Sequence, residues 1–245
     1  MPPVCRLLPF AVADGPHNMA ADEALLESAA AGVASLRFYG WSEATVSLGY
    51  FQPERIRQRD PRLAPLPFVR RPSGGATLVH DYEVTYALAL PAGQPWQTEE
   101  RWLRRMHEIV ASALKQLGLE VQVIPDKSEQ RYLGTLLCFL QLMHGDLAIG
   151  WSKVVGSAQR KRRGALMQHG SILLAASPFT PSLPGIRELS GRTLTIEETC
   201  EAVRSAFARQ TGWNLEPSDW TGAERRRIEE LAAAKYGHDT WNRKR

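Results

Sequence analysis

Cys138 stands fifteen positions before Lys153, and that lysine opens the run Lys153-Val154-Val155-Gly156-Ser157-Ala158-Gln159. A thiol and an amine that converge can run acyl transfer, because the thiolate is the nucleophile and a nearby ammonium favours its formation. A free cysteine with a pKa near 8.5 is about three per cent thiolate at pH 7, and lowering that pKa by about two pH units would raise the fraction roughly twenty-five-fold. A thiolate attacking a thioester would form an acyl-enzyme, from which an incoming lysine amine would take the acyl group as an amide. The first exchange trades one thioester for another, so this route needs no nucleotide. Each residue also has an ordinary reading. Cys138 fits a small buried hydrophobe in Thr135-Leu136-Leu137-Cys138-Phe139-Leu140, and Lys153 fits an exposed strand end.

A second segment, Arg70-Arg71-Pro72-Ser73-Gly74-Gly75-Ala76-Thr77-Leu78-Val79-His80-Asp81, supplies what a substrate loop needs. Arg70 and Arg71 could hold an anion, and Gly74 and Gly75 free backbone amides to approach a carbonyl or phosphate. A plain hairpin corner would use the same glycines. His80-Asp81 could orient a substrate or close that corner. His169, in Met167-Gln168-His169-Gly170-Ser171, reads as a hydrogen-bonded structural histidine. His17, His107, His144 and His238 lack metal-ligand spacing, so no metal is expected. Cys5 and Cys200 have no cationic motif beside them and read as structural; three scattered cysteines argue against a disulfide framework or a zinc site.

These residues need a sheet to position them. Asn18 to Ala31 has helical spacing after the Asp14-Gly15-Pro16 turn signal. Leu36 to Trp41 and Thr45 to Tyr50 alternate like two paired strands joined by Ser42-Glu43-Ala44. Strands are also expected at Ala76 to Val79, Val84 to Leu90, Glu120 to Ile124, around Leu136 to Leu140, at Asp146 to Ile149, Lys153 to Gln159 and Ala165 to Leu174. Glu99 to Leu117 carries a helical apolar stripe ended by Gly118. The proline-rich stretch from Ser177 to Gly185 prevents a regular element, and helices follow at Thr195 to Gln210 and Ser218 to Lys235. The expected organisation is a catalytic acyl-binding domain over 1–176, a linker over 177–192, and a small helical appendage over 193–245 packed on the same domain. Strands grouped before helices give an α+β class rather than repeated βαβ units.

At 245 residues and 44% hydrophobic composition the chain can bury a core of ordinary size. No apolar run is long enough for a membrane span, and Met1-Pro2-Pro3-Val4-Cys5-Arg6 lacks the parts of a secretory signal, so a cytoplasmic location is expected. A net charge of +4 favours acidic partners without singling out nucleic acid. The basic runs Arg160 to Arg163, Arg225 to Arg227 and Arg243 to Arg245 suit either a solvated face or an acidic protein partner.

Taken in order, these segments resemble the lipoate-protein ligase A and octanoyltransferase family, within the biotin/lipoate ligase catalytic-domain group. Asn18 to Leu26 resembles its first helix, Leu36 to Trp41 and Val46 to Gln52 its first strands, and Arg70 to Asp81 its glycine-bearing substrate loop. Lys153 to Gln159 is similar to the motif of its active-site lysine, and Lys235-Tyr236-Gly237 with Trp241-Asn242 to its closing segment. The resemblance implies a mixed, largely antiparallel sheet flanked by helices, with a tunnel for a medium-chain acyl group. Burying an octanoyl tail at about 0.8 kcal/mol per methylene would contribute roughly 5 to 6 kcal/mol before binding costs.

Cys138-Phe139, with Gln159-Arg160 and Gly164 to Leu174 after the lysine, resembles the cysteine-dependent octanoyltransferase branch. That branch implies Cys138 and Lys153 as catalytic residues, with Arg70, Arg71, Ser73, Gly74, Gly75, Ala76, His80, Gly156, Ser157 and Ala158 binding substrate. It also implies an octanoyl or lipoyl group moved from an acyl carrier protein to a lysine of a lipoyl domain, such as a glycine cleavage H protein or a 2-oxoacid dehydrogenase E2 subunit, without cofactor. Two alternatives stay open. One is a lipoate-protein ligase using ATP and magnesium through lipoyl-adenylate; the other is a non-catalytic protein that binds the acyl group or its carrier.

Overall fold

The computed structural model describes residues 1–97, 101–125, 131–132 and 137–245. In chain order come strands β1 (Val4–Leu7) and β2 (Ala11–Ala13), helix α1 (Gly15–Ala30), and strands β3 (Ser35–Trp41) and β4 (Thr45–Leu48). β5 (Phe68–Arg70), β6 (Leu78–His80) and β7 (Glu83–Leu90) lead to helix α2 (Trp102–Gln116). Then follow β8 (Gln122–Val123), β9 (Arg131–Tyr132), β10 (Gln141–Leu142), β11 (Leu147–Ile149), β12 (Ser152–Arg162) and β13 (Ala165–Leu173). The C-terminal part holds α3 (Ile186–Ser190), α4 (Ile196–Thr211), β14 (Asn214–Pro217), α5 (Gly222–Leu231) and α6 (Asp239–Asn242).

Among the described residues the large sheet runs β14-β1-β3-β7-β13-β12-β11-β8, with β2 also beside β3. β14–β1, β1–β3 and β2–β3 are parallel, and every pairing from β3 through to β8 is antiparallel, so the sheet is mixed and largely antiparallel. β4 sits between β5 and β6 in a second, smaller sheet.

Register decides what each face of the large sheet carries, because directly paired residues point the same way and neighbours along a strand alternate. Tyr39, Thr85, Ser171 and Gly156 pair in succession across β3, β7, β13 and β12, and Arg37, Ala87, His169 and Ala158 form the next row on that face. The opposite face presents Phe38, Tyr86 and Leu88 to the apolar stripe of α2, where Trp102, Met106, Ile109, Val110 and Leu114 complete the main core with Val203 and Phe207 of α4. The polar face is therefore left to α1 and the small sheet.

The structure departs from the sequence-based expectations in places that have physical causes. β3 and β4 do not pair: β3 is buried along nearly its whole length and takes a central place in the large sheet, while Ser42 to Ala44 carries the chain to the small one. The strand expected around Leu136 to Leu140 is a single bridge of Leu137 to Thr77 followed by one 3-10 turn, Cys138–Leu140; Leu136 lies outside the described residues. Glu99 and Glu100, expected to begin α2, also lie outside them, and α2 is described from Trp102. The last long helix starts at Gly222 rather than Ser218, because Thr221 caps it by accepting from the Glu224 amide.

The segment after residue 176 is tied closely to what precedes it. Ser177 to Gly185 forms neither helix nor strand, α3 lies within the 177–192 stretch, and β14 extends the large sheet beside β1. Glu224 of α5 accepts from Arg6 of β1 at 2.7 Å and from Ser28 of α1 at 2.6 Å. Burial works to raise the Glu224 carboxyl, but Arg6, Ser28 and the Thr221 amide outweigh it and bring its pKa down to about 2 from 4.5. A depressed carboxyl stabilises the fold above its unfolded pKa and loses that contribution as pH falls through the folded one. Glu224→Gln is thus expected to lower the melting temperature at pH 7 and to flatten its fall between about pH 4.5 and pH 2; parallel melting curves of parent and variant check this.

Candidate active site

The 3-10 turn Cys138–Leu140 is held against the loop of residues 70–81 by a backbone bond from the Cys138 amide to the Thr77 carbonyl at 2.7 Å. This presents the half-buried Cys138 thiol to Lys153, whose Nζ lies 3.7 Å from Sγ. Asp146, in the turn before β11, takes the other side of the ammonium at 2.8 Å and is itself fixed by the Met143 amide at 2.8 Å. Phe139 places its ring 5.2 Å from the same Nζ. Burial disfavours the ammonium, yet the Cys138 sulfur and Asp146 more than offset it and hold the Lys153 pKa above the ordinary lysine value. Lys153 therefore stays a cation between two anion-forming groups, suited to stabilising a thiolate and unsuited to accepting a proton.

Gly156 makes room for this lysine. A Cβ at that position would stand 2.4 Å from Lys153 Cε and 2.8 Å from Nζ. Gly156→Ala is expected to displace the ammonium and lower kcat/KM for acyl transfer by about 100-fold, on the scale of a 1 Å misplacement of a reacting group. Steady-state kinetics beside a circular dichroism spectrum checks it, and retained activity would remove the requirement for a bare backbone under Lys153.

The arginines of the glycine-bearing loop, residues 70–81, separate. Arg71 lines the pocket beside Cys138, and its guanidinium donates to the Ser47, Gly74 and Ala76 carbonyls at 2.9, 2.9 and 2.6 Å, bracing the glycine corner. Burial brings its pKa down to about 10, with the Cys138 sulfur acting in the opposite sense. Arg70 is fully buried and points away, donating to the carbonyls of Gly49, Gln52 and Asn242 at 3.0, 2.6 and 2.9 Å. Asn242 and Trp241 close on the same strand, Asn242 accepting from the Arg70 amide and Trp241 donating to the Arg70 carbonyl, both at 2.8 Å. Arg70 thus locks the C-terminal segment to the loop, and no donor of its guanidinium is aimed into the pocket. The corner itself passes so close to β4 that a Cβ on Gly49 would meet the Gly75 carbonyl at 1.9 Å.

Behind the corner lies a pocket with about 490 Å³ of space unfilled by atoms, part of it open to solvent. Cys138, Gly75, Arg71, Gly156, Ser157 and Ala158 line it, together with His80 and His169. Each imidazole is held in a relay. His80 Nδ1 donates to Glu83 at 2.6 Å, and its Nε2 accepts from the Ser47 hydroxyl at 2.8 Å, with the ring stacked 3.7 Å from that of Trp41. His169 Nδ1 donates to Asp22 at 2.8 Å, and its Nε2 accepts from the Ser73 hydroxyl at 2.5 Å. A carboxylate can only accept, which assigns both tautomers. Asp22 also accepts from the Tyr39 hydroxyl at 3.0 Å and pairs with Arg37 at 3.3 Å. Ser157 turns its hydroxyl to the other side of the sheet, against His107 Nε2 at 2.7 Å, so its contribution to the pocket is backbone.

Residues 14–183 match the family described as the lipoyl protein ligase A/B catalytic domain. The chain belongs to that family. Its curated relatives include octanoyltransferase LipM of Geobacillus kaustophilus, 35% identical over 93% of this chain and 94% of that protein. Octanoyltransferase LipM of Bacillus subtilis is 32% identical over the same shares. This lipoyl protein ligase A/B family member is, like them, an acyltransferase enzyme. A T. acidophilum protein solved with bound lipoic acid shares the fold at a TM-score of 0.79 and 20% identity, with 99% of this chain and 100% of that one covered. A lipoate-protein ligase A bound with ATP superposes at a TM-score of 0.75 and 22% identity, covering 99% of each chain.

Sequence reasoning missed the carboxylates of this family member's site. Asp146 was legible only as the start of a strand, yet its place after Gly145 in a turn closing on the lysine strand was a usable signal. Asp22 interrupts the apolar positions of α1, which is buried almost all round, and a charged residue there needs a partner. His169 was read as structural and lines the pocket. Of the basic runs, Arg162 pairs with Glu23 and Glu27, Arg227 with Glu27 and Glu230, and Arg225 with Asp219, while Lys244 rests over the Tyr50 and Trp241 rings at 3.8 and 3.3 Å.

Proposed function

We propose that this protein transfers an octanoyl group from an acyl carrier protein to a lysine of a lipoyl domain, through a thioester on Cys138. The observation that carries the reading is the 3.7 Å approach of Lys153 Nζ to Cys138 Sγ at the mouth of a pocket floored by Gly156 and Ala158. In the first half-reaction the Cys138 thiolate attacks the donor thioester carbonyl and the carrier thiolate leaves. In the second, the acceptor amine attacks the Cys138 thioester and the cysteine leaves as a thiolate beside Lys153. The ammonium stabilises the sulfur anion at both stages, and the small-residue floor leaves space for an apolar tail. No nucleotide or metal enters these steps, and the cytoplasm, where thiols stay reduced, is the compartment that suits them. The names of the LipM relatives support the octanoyl group, and a structural neighbour described with its E2 lipoyl domain supports the acceptor class.

The test is intact-protein mass after incubation with octanoyl-carrier protein and no ATP. A gain of one octanoyl group, removable by hydroxylamine, is expected. No adduct, together with lipoyl-adenylate formed from lipoate, ATP and magnesium, would make the enzyme a ligase; binding of the acyl group with neither product would make it a non-catalytic binder.

A further inference from the structure

The transfer just described leaves one proton without a destination. When a neutral amine attacks the thioester, its nitrogen bonds to the carbonyl carbon, the carbon–sulfur bond breaks, and the electron pair stays on Cys138 Sγ. An N–H proton must then be removed for the amide to form. Lys153 cannot take it, because it is already an ammonium held by Asp146 at 2.8 Å. The imidazoles that line the pocket are the remaining candidates.

We propose that Ser73, His169 and Asp22 form the proton relay of the aminolysis step, an inference that rests on the thioester reading above. The amine proton passes to Ser73 Oγ as the serine proton passes to His169 Nε2, 2.5 Å away, and the imidazolium is stabilised by Asp22 at 2.8 Å until it releases the proton to solvent. Geometry separates this relay from its neighbour. Ser47, which hydrogen-bonds to His80, also accepts from the cationic Arg71 at 3.1 Å, a contact that opposes bringing a further proton there. Among the described residues no cation contacts Ser73 Oγ, and this nearly fully buried residue lies against the pocket-lining His169, in the loop whose Thr77 carbonyl holds the Cys138 amide. Asp22 is fully buried: its Oδ2 takes both the imidazole and the Tyr39 hydroxyl, while its Oδ1, without a hydrogen bond, faces Arg37 Nε of β3 at 3.3 Å. Asp22 is thus a positioning residue that selects the tautomer and steadies the charged ring.

The experiment separates the half-reactions. Parent, His169→Gln, Ser73→Ala, Asp22→Asn and His80→Gln are each loaded with octanoyl-carrier protein, freed of donor, and mixed with a lipoyl-domain acceptor while mass is followed in time. His169→Gln is expected to load within about threefold of the parent and to pass the octanoyl group to the acceptor about 100- to 1,000-fold more slowly, the range of a lost general base. Ser73→Ala, a smaller change, should show the same split, and Asp22→Asn a loss of about tenfold. The deficit of His169→Gln should shrink as pH rises, because hydroxide replaces the missing base; of the charged groups around the ring, Asp22 of α1 contacts it, Arg37 of β3 pairs with that Asp22, and Arg71 of the loop lines the same pocket. Transfer by His169→Gln at the parent rate, equal slowing of both half-reactions, or a transfer defect confined to His80→Gln would each overturn the relay. A parent that never acquires an octanoyl adduct would sink the thioester reading and the relay with it.

Discussion

Cys138→Ala is expected to lower octanoyl transfer by on the order of 10,000-fold or more, because on the proposed thioester route it removes the atom that would carry the acyl group. The same substitution should change stability by no more than about 1 kcal/mol. Cys138 is only half-buried, sits in a single 3-10 turn, and leaves its own backbone bond to Thr77 untouched when its sulfur is lost. Large loss of turnover with little loss of stability is the signature of a nucleophile, and the ordinary reading of this cysteine as core packing requires the reverse. Cys138→Ser sharpens the comparison: a serine hydroxyl stays protonated near neutral pH and is a far weaker nucleophile than a thiol without a general base beside it. Intact mass, chemical denaturation and turnover on one set of samples decide the matter. Turnover by Cys138→Ala that is undiminished and dependent on ATP would replace acyl-cysteine chemistry with adenylation.

The order of elements was legible in the sequence because the apolar periodicities are strong: the stripe of α2, the alternation of β3 and the long β12–β13 pair all follow from patterns within one segment. Pairing was less legible. β3 and β4 are adjacent in sequence and both strand-like, yet only the location of the two cores separates them into different sheets. The site divides along the same line. Cys138 and Lys153 carried their chemistry in residue type, and the glycine corner in its composition. Asp22 acts through partners supplied by distant strands, His169 of β13 and Arg37 of β3, and Asp146 and Glu83 meet Lys153 and His80 nearby in sequence only because turns fold the chain back, which residue type alone does not say. Arg70 and Arg71 show the limit most directly. They are identical and adjacent, but strand alternation sends one guanidinium to the C-terminal segment and the other to the pocket.

Lys153→Met should fail in two separable ways. Turnover is expected to fall by about 1,000-fold, since on the proposed route a sulfur anion at Cys138 would lose the cation 3.7 Å away at both half-reactions. Stability is expected to fall by about 3 to 5 kcal/mol, because Lys153 and Asp146 are 4% and 7% exposed and the substitution strands a buried carboxylate. In a chain of this size that corresponds to a melting temperature lower by roughly 6 to 20 °C. Lys153→Met combined with Asp146→Asn removes both charges and should regain most of the stability while regaining none of the turnover. That divergence distinguishes a lysine needed for chemistry from one needed only to neutralise Asp146. The pH dependence carries the sign of the pairing. Because the folded-state pKa of Lys153 is raised above 10.5, the pair contributes fully below that pH and its contribution is lost as pH rises through the folded value. The double variant should therefore lose less stability than the parent on the alkaline side. Recovery of turnover in the double variant would mean that the ammonium balances Asp146 and does nothing for the sulfur 3.7 Å away.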